Sequence, residues 1–407
     1  MRVLWFTNSP SNYLSDGFGY NGCGWISSLE NAIKTEVELG VAFVMNGQES
    51  KVEKNGVTYY PVANPYNSSR WSRVDKLVFG YQKETSWLLS SYLKVIQDFR
   101  PDVIEVFGSE HIYGLICGYT PVPVLLHIQG LLGECEKAFL PPGMTWNQFY
   151  CSDGSFSGYF AKKYYAADFH RRAKVEREIL RSVDYFAGRT SWDRNIISSL
   201  NPKAKYYHVD EILREPFYEL AGKWNAPVRP VIVSTISEAP FKGMDIVLRV
   251  ARVLKMRGVD FQWKVFGNVN DGFYETFTGI ECEDVNVIPM GVGSAYKIAD
   301  ALSCCSVYMH PTYVENSPNS ICEAQLIGAP VVATNVGGVP DIVEDGCDGS
   351  LFATTEISQM ASALTKYIGD ENFARSMGER GAAKAAQRHD KVRIVEALMG
   401  AYSDIVG

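Results

Sequence analysis

The sequence predicts an α/β fold, two Rossmann-like doubly wound domains facing across a cleft, and three observations carry that reading. The chain has 407 residues, too many for one ordinary core and suited to two domains of about 200 residues each. Short apolar runs alternate with helical patterns along most of it, the rhythm of parallel strands joined by crossover helices. One polar stretch near 211–230, holding Pro216, Pro227 and Pro230, separates two such series and sets the domains at 1–212 and 213–390. In doubly wound sheets ligands bind outside the carboxyl ends of the strands.

The first series opens with an apolar strand at 3–7, a Gly-rich loop, a helix over 24–39 and a strand at 41–45. Leu88, Tyr92, Val95, Ile96 and Phe99 recur at helical spacing, and Pro101 follows that helix. Apolar runs at 103–107 and 124–128 are strands, and 185–187 and 206–209 are weaker ones. The second series has strands at 231–235, 261–266, 285–289, 306–310 and 331–334, alternating with helices at 244–256, 294–303 and 318–327. Three helical patterns close the chain, and the last, 391–405, sets Ile394, Leu398, Ala401, Tyr402 and Ile405 on one face.

Composition narrows the function. The net charge of −7 argues against broad nucleic-acid binding. The first 200 residues carry 20 basic and 20 acidic side chains, so the acidic excess lies in the C-terminal half. A nucleoside diphosphate bound there needs local devices, a helix end and a few placed cations. Nine cysteines without a C-x-x-C point to a reduced, cytoplasmic protein without structural zinc. The opening residues lack the long apolar core of a signal peptide, and no run of ~18 apolar residues exists to span a membrane.

The chemistry concentrates in HPTYVENSPNSICEAQLIGAPVVATNVGGVPDIVEDGCDGSLF, residues 310–352. A strand ends at His310 and a loop carries Glu315. Asn316 or Ser317 can cap the next helix, and Pro318 suits its first turn. A helix start offers free N–H groups and a positive dipole end for phosphate. Glu323, a turn and a half further on, makes with Glu315 a pair of acceptors suited to sugar hydroxyls on either side of a diphosphate. Upstream, SEAPFKGMDIVL (237–248) sets Lys242–Gly243 at a loop-to-helix junction, where lysine serves as a mobile point charge.

Glu315 and Glu323 form the E-x7-E pattern of family 4 retaining glycosyltransferases of the glycosyltransferase B fold, and GAPVVATNVGGVPDIV resembles that family's adjoining segment. The resemblance implies that Glu315 lies by the donor sugar and Glu323 bonds the nucleotide ribose. It also implies that backbone N–H groups near Asn319 and Ser320 hold the diphosphate with Lys242. Gly267, Asn268, Met290 and Gly291 would frame the base, and Gly337 and Gly338 permit close backbone approach. In the first half, NGCGW (21–25) supplies Gly22 and Gly24 facing the cleft. His127, at the end of VPVLLHIQG, resembles the family's strand-end histidine beside the donor sugar. The terminal helix 391–407 is expected to cross back onto the first domain. One departure stands out, because the family places an Arg five residues before this lysine and here that residue is Ser237.

The implied activity is retaining transfer of a hexosyl group from a UDP- or GDP-sugar to a glycan or lipid-linked acceptor in polysaccharide assembly. No D-x-D is present, so no metal and no cofactor is expected. Residues 160–181 carry seven Lys or Arg against three acidic residues, with aromatics interleaved. Lys162, Lys163, Arg171 and Arg172 are thus candidates for an acceptor phosphate or for peripheral contact with an anionic membrane. A solvated helix with its aromatics packed inward is the plainer reading. Residues 135–159 look like an inserted acceptor-side loop. A nucleotide-sugar epimerase and a non-catalytic donor-binding scaffold remain open as alternatives.

Overall fold

A computed structural model describes residues 1–14, 23–45, 50–67 and 82–407. The chain divides into two compact units, one of residues 1–132, 172–212 and 390–407 and the other of 133–171 and 213–389.

The first unit is built on eight strands: β1 Arg2–Thr7, β2 Glu38–Met45, β3 Val52–Lys54, β4 Val57–Ala63, β5 Val103–Phe107, β6 Val124–His127, β7 Tyr185–Gly188 and β8 Lys205–His208. They lie in the order β3-β4-β2-β1-β5-β6-β7-β8, and every pairing is parallel except β3 with β4. Strands β1 and β5 are buried nearly throughout, as a parallel sheet covered on both faces requires. One layer of the core joins Leu4, Phe6, Tyr92, Phe99, Ile104, Leu126 and Phe186. The terminal helix Lys391–Val406 belongs to this unit and buries Ile394, Leu398, Ala401, Tyr402 and Ile405.

The second unit carries β9 Val231–Thr235, β10 Gln262–Phe266, β11 Val287–Gly291, β12 Val307–His310, β13 Val331–Thr334 and β14 Ser350–Phe352. Their order is β11-β10-β9-β12-β13-β14, all parallel. Counted within the unit this is 3-2-1-4-5-6, with the reversal between β9 and β12 that marks the binding crevice of doubly wound sheets. The helix Met244–Met256 buries Met244, Ile246, Val247, Leu248, Val250, Ala251 and Leu254, a wide apolar face against the sheet.

Three expectations need correction. The helix predicted over 24–39 ends at Ile33, and Leu39 lies inside β2. Gly40 reads as a helix stop, yet it is a strand residue, and a Cβ there would sit 3.0 Å from Leu4 Cδ1 and Phe99 Cε2. The hairpin β3–β4, turning at Asn55–Gly56 with φ of 53° and 80°, was not anticipated. Residues 135–159 are not one loop but loops broken by helical segments. Helices Leu132–Lys137 and Trp146–Tyr150 precede the long helix Phe156–Ser182, and 133–171 cluster with the second unit because Phe139 and Phe169 pack on Phe241. Among the described residues no helix is long and apolar enough to cross a membrane.

Candidate functional site

The second unit gathers its polar side chains at the reversal point. The segment leaving β9 runs through a short turn, Pro240–Lys242, to Gly243, whose φ of 78° starts the helix Met244–Met256. A Cβ on Gly243 would lie 1.4 Å from Pro311 O, so only glycine lets this turn press onto the segment leaving β12. Two bonds to Phe241 O, from Tyr313 N at 2.8 Å and Thr312 Oγ1 at 3.1 Å, join the segments. Gly337 is a second close approach, since its Cβ would meet Glu315 O at 1.8 Å, and Gly338 N donates to that oxygen at 3.0 Å. The glycine pair therefore supports Glu315 directly.

Lys242 and Glu315, 73 residues apart, meet through this packing, with Nζ 2.5 Å from Oε2. His310, the last residue of β12, brings Nε2 to 3.6 Å from the same oxygen. Burial alone would raise the Glu315 carboxyl; the Lys242 ammonium and His310 outweigh it and hold it at about 2. Burial works to lower Lys242, and Glu315 more than restores it. His310 is lowered by burial against the opposing pull of Glu315, so it is a neutral ring at pH 7. Its Nδ1 lies 3.3 Å from Tyr308 Oη and 3.4 Å from Ser320 Oγ. Sequence reasoning missed His310, although a histidine closing a strand was the signal used for His127.

The helix Asn319–Ile327 starts beside this cluster. Neither Asn316 nor Ser317 caps it: Pro318 is the N-cap and offers no side-chain acceptor. The first N–H groups of such a helix stay available to a ligand, and the Asn319 Oδ1 is buried without a hydrogen-bond partner among the described residues. Ile321 and Cys322 N–H return to Pro318 O, which leaves the leading turn at Asn319 and Ser320. Glu323 is buried one turn on and engaged by Arg214, whose Nε and Nη2 each lie 2.8 Å from one carboxylate oxygen. The Arg214 guanidinium also stacks on Phe217 at 4.8 Å. Position 237 remains without a cation; Ser237 is half-buried after β9. Of the remaining candidates, Gly267 donates N–H to Gly291 O at 2.8 Å, and Asn268 Nδ2 donates to Glu238 Oε2 at 3.3 Å. Gly267 has φ 126°, and its Cβ would strike Ile236 O at 1.8 Å. These residues and Met290 line the carboxyl ends of β10 and β11.

In the first unit, His127 closes β6 and is fully buried. Its Nδ1 is 2.8 Å from Glu105 Oε1, and its ring stacks on Phe107 and meets Trp25 edge-on. Gly24 opens the helix Cys23–Ile33, and its carbonyl accepts from Ser28 Oγ at 2.8 Å. Gly22 lies outside the described residues.

The basic helix Phe156–Ser182 is partly self-satisfied. Lys162 lies over Phe149 at 5.3 Å and 3.6 Å from Asp153, and Lys163 over Tyr159 at 5.1 Å. Arg171 bonds Asp168 at 3.0 Å, while Arg172 falls in the first unit. Phe169 packs inward, whereas Phe156 and Phe160 face solvent at 83% and 54% exposure, so the inward-packed reading holds only for part of the helix.

Residues 229–370 match the family described as Glycosyl transferases group 1. The capsular polysaccharide biosynthesis glycosyltransferase CapM of Staphylococcus aureus is 25% identical over 167 residues, 40% of this chain and 43% of that protein. The matches span less than half the length of the first curated relatives. Among solved structures, sucrose-phosphate synthase from Thermosynechococcus elongatus aligns at TM-score 0.74 and 13% identity, covering 99% of this chain and 98% of that one. Anabaena Alr3699/HepE in complex with UDP and glucose aligns at TM-score 0.66 and 15% identity, covering 99% of this chain and all of the other. At such identities the likeness is one of fold, two parallel-sheet domains of the glycosyltransferase B type.

Proposed function

We propose that this chain, which belongs to the glycosyltransferases through its group 1 segment at 229–370, moves a sugar from a nucleoside-diphosphate sugar to a glycan or lipid-linked acceptor with retention. The observation that carries the reading is the Lys242–Glu315–His310 cluster beside an uncapped helix start at the strand-order reversal. Lys242 and the helix N-terminus stabilise the charge that grows on the leaving diphosphate. Glu315, ionised at any working pH, accepts a hydroxyl of the donor sugar, and Glu323 accepts the ribose hydroxyls. The anomeric carbon–phosphate oxygen bond breaks and the bond to the acceptor oxygen forms on the same face. The acceptor proton passes to the departing phosphate oxygen, so no enzyme nucleophile and no metal is required. A covalent sugar adduct on Glu315 in mass spectra would refute this course.

UDP as the base has support in HepE, solved with UDP and glucose, and polysaccharide assembly in CapM, named for capsular polysaccharide. Calorimetry with UDP, GDP and ADP is expected to find one tight binder, weakened at least about tenfold by Glu323→Ala, as loss of charged hydrogen bonds predicts. If a folded protein binds none of them, the vacancy left by Ser237 matters, and the scaffold reading takes over. Bound donor converted to another sugar nucleotide without acceptor would favour an epimerase. Phe156 and Phe160 beside Lys162 and Lys163 suit a peripheral anionic membrane contact. Vesicle sedimentation is expected to favour anionic over neutral lipid, and equal sedimentation removes that contact.

A further inference from the structure

Glu105 is a carboxylate inside the otherwise apolar strand β5, wholly buried, and its two oxygens have different partners. Oε1 meets His127 Nδ1 at 2.8 Å, and Oε2 is bonded by the Tyr402 hydroxyl. Tyr402 stands on the terminal helix Lys391–Val406, and its oxygen also receives the Trp5 indole N–H at 3.1 Å. All four side chains are fully buried.

The direction of this chain follows from its far end. An indole N–H is a donor only, so the Tyr402 oxygen accepts from Trp5 and its own proton must go to Glu105. Burial and the adjacent carboxylate push the Tyr402 hydroxyl well above its ordinary range, which keeps that proton in place. With Oε2 already accepting from Tyr402, Oε1 is the oxygen left to accept from His127, which assigns the proton of that bond to Nδ1. The His127 Nε2 is then the acting nitrogen, and among the described residues it is buried with no hydrogen-bond partner. A buried orphan of that kind is costly until a ligand satisfies it. The ring is held against rotation by Phe107 and Trp25.

Resting on the sugar-transfer reading above, we infer that Glu105 and Tyr402 are positioning residues, fixing the His127 tautomer so that Nε2 is left as the acceptor for a ligand hydroxyl. The terminal helix thereby acts on His127 through Tyr402 as well as through packing. A third group that sets the tautomer of an imidazole is known to govern its use elsewhere.

The test is long-range 15N–1H NMR of the full chain labelled at histidine, with His127 assigned by His127→Asn. The wild type is expected to show Nδ1–H. In Glu105→Gln the amide donates to Nδ1, so the proton moves to Nε2. UDP-glucose should then shift the wild-type Nε2 resonance where UDP alone does not. Hydrolysis of UDP-glucose in Glu105→Gln is expected to fall at least about tenfold in kcat with KM changed less than about threefold, the split expected when an orienting group is lost. Tyr402→Phe keeps the ring packed and is expected to lower the Nδ1–H population with a smaller loss of kcat, which preserves the test should Glu105→Gln not fold. A wild-type His127 protonated on Nε2, or one unmoved by UDP-glucose in a protein that binds UDP, overturns the inference. A protein that binds neither UDP nor UDP-glucose sinks the UDP-sugar reading itself.

Discussion

Replacing Lys242 by Met is expected to lower turnover by about two to three orders of magnitude, the usual consequence of removing a charge aimed at the developing transition state. Lys242 is held in the free protein by Glu315 at 2.5 Å, on a turn that Gly243 alone allows to lie against Pro311. Methionine keeps most of the apolar stem, so the loss reads the charge. The same variant has a pH signature. With its folded value at about 2 against an ordinary 4.5, Glu315 binds its proton less readily folded than unfolded. Its contribution to stability is therefore complete above pH 4.5 and is lost as pH falls from there through about 2. Without Lys242, burial is opposed by His310 alone and the carboxyl moves up. Denaturant titrations should show the wild type more stable at pH 7, with the gap narrowing between pH 4.5 and pH 2. His310, lowered by burial, also favours unfolding below pH 6.5, but in both proteins, so it largely cancels from the difference. A gap unchanged with pH would mean that the Lys242–Glu315 pair is not what depresses the carboxyl.

How much of this was legible in the sequence depends on how local each signal is. Strands such as β1, β5 and β9 are mostly apolar runs between turn residues and were found within a residue or two. Gly40 misled because glycine serves both to stop a helix and to let a side chain from across the sheet come close. The hairpin at Asn55–Gly56 carried a strong signal in that dipeptide that went unused, and Pro61 is a residue strands hold only at an edge. Pro61 fits because β3 pairs only with Val57, Thr58 and Tyr59 among the described residues, so that ladder asks no N–H of it. At the site, the E-x7-E spacing marked Glu315 and Glu323, and a K-G pair marked Lys242. Their partners were invisible because sequence distance says nothing of them: Arg214 lies 109 residues from Glu323, and Tyr402 lies 297 from Glu105. Glu105 had one local signal that could have been used, a lone charge in the apolar run VIEVF. A buried carboxylate almost always has a partner, and that alone asks for one.

Arg214→Ala is expected to be the most destabilising single change at the site. Truncating one member of a buried ion pair costs about 3–5 kcal/mol, because the other charge stays behind. Glu323 is 4% exposed in its side chain, whereas Arg214 is 31% exposed, so the loss should fall at the low end of that range. The geometry makes lysine a poor substitute. Two guanidinium nitrogens meet two oxygens at 2.8 Å while the plane stacks on Phe217, and an ammonium reproduces neither contact. The decisive comparison is the double change Arg214→Ala with Glu323→Gln. It removes the stranded charge and should recover most of the stability lost in Arg214→Ala, as measured by denaturant unfolding. Nucleotide affinity should not recover with it, because Glu323 is the group proposed to accept the ribose. Stability thus returns while binding does not, a split that no general loosening of the fold produces. If Arg214→Ala unfolds within about 0.5 kcal/mol of the wild type, the pair behaves as a screened surface bridge, and Glu323 is oriented by its helix alone.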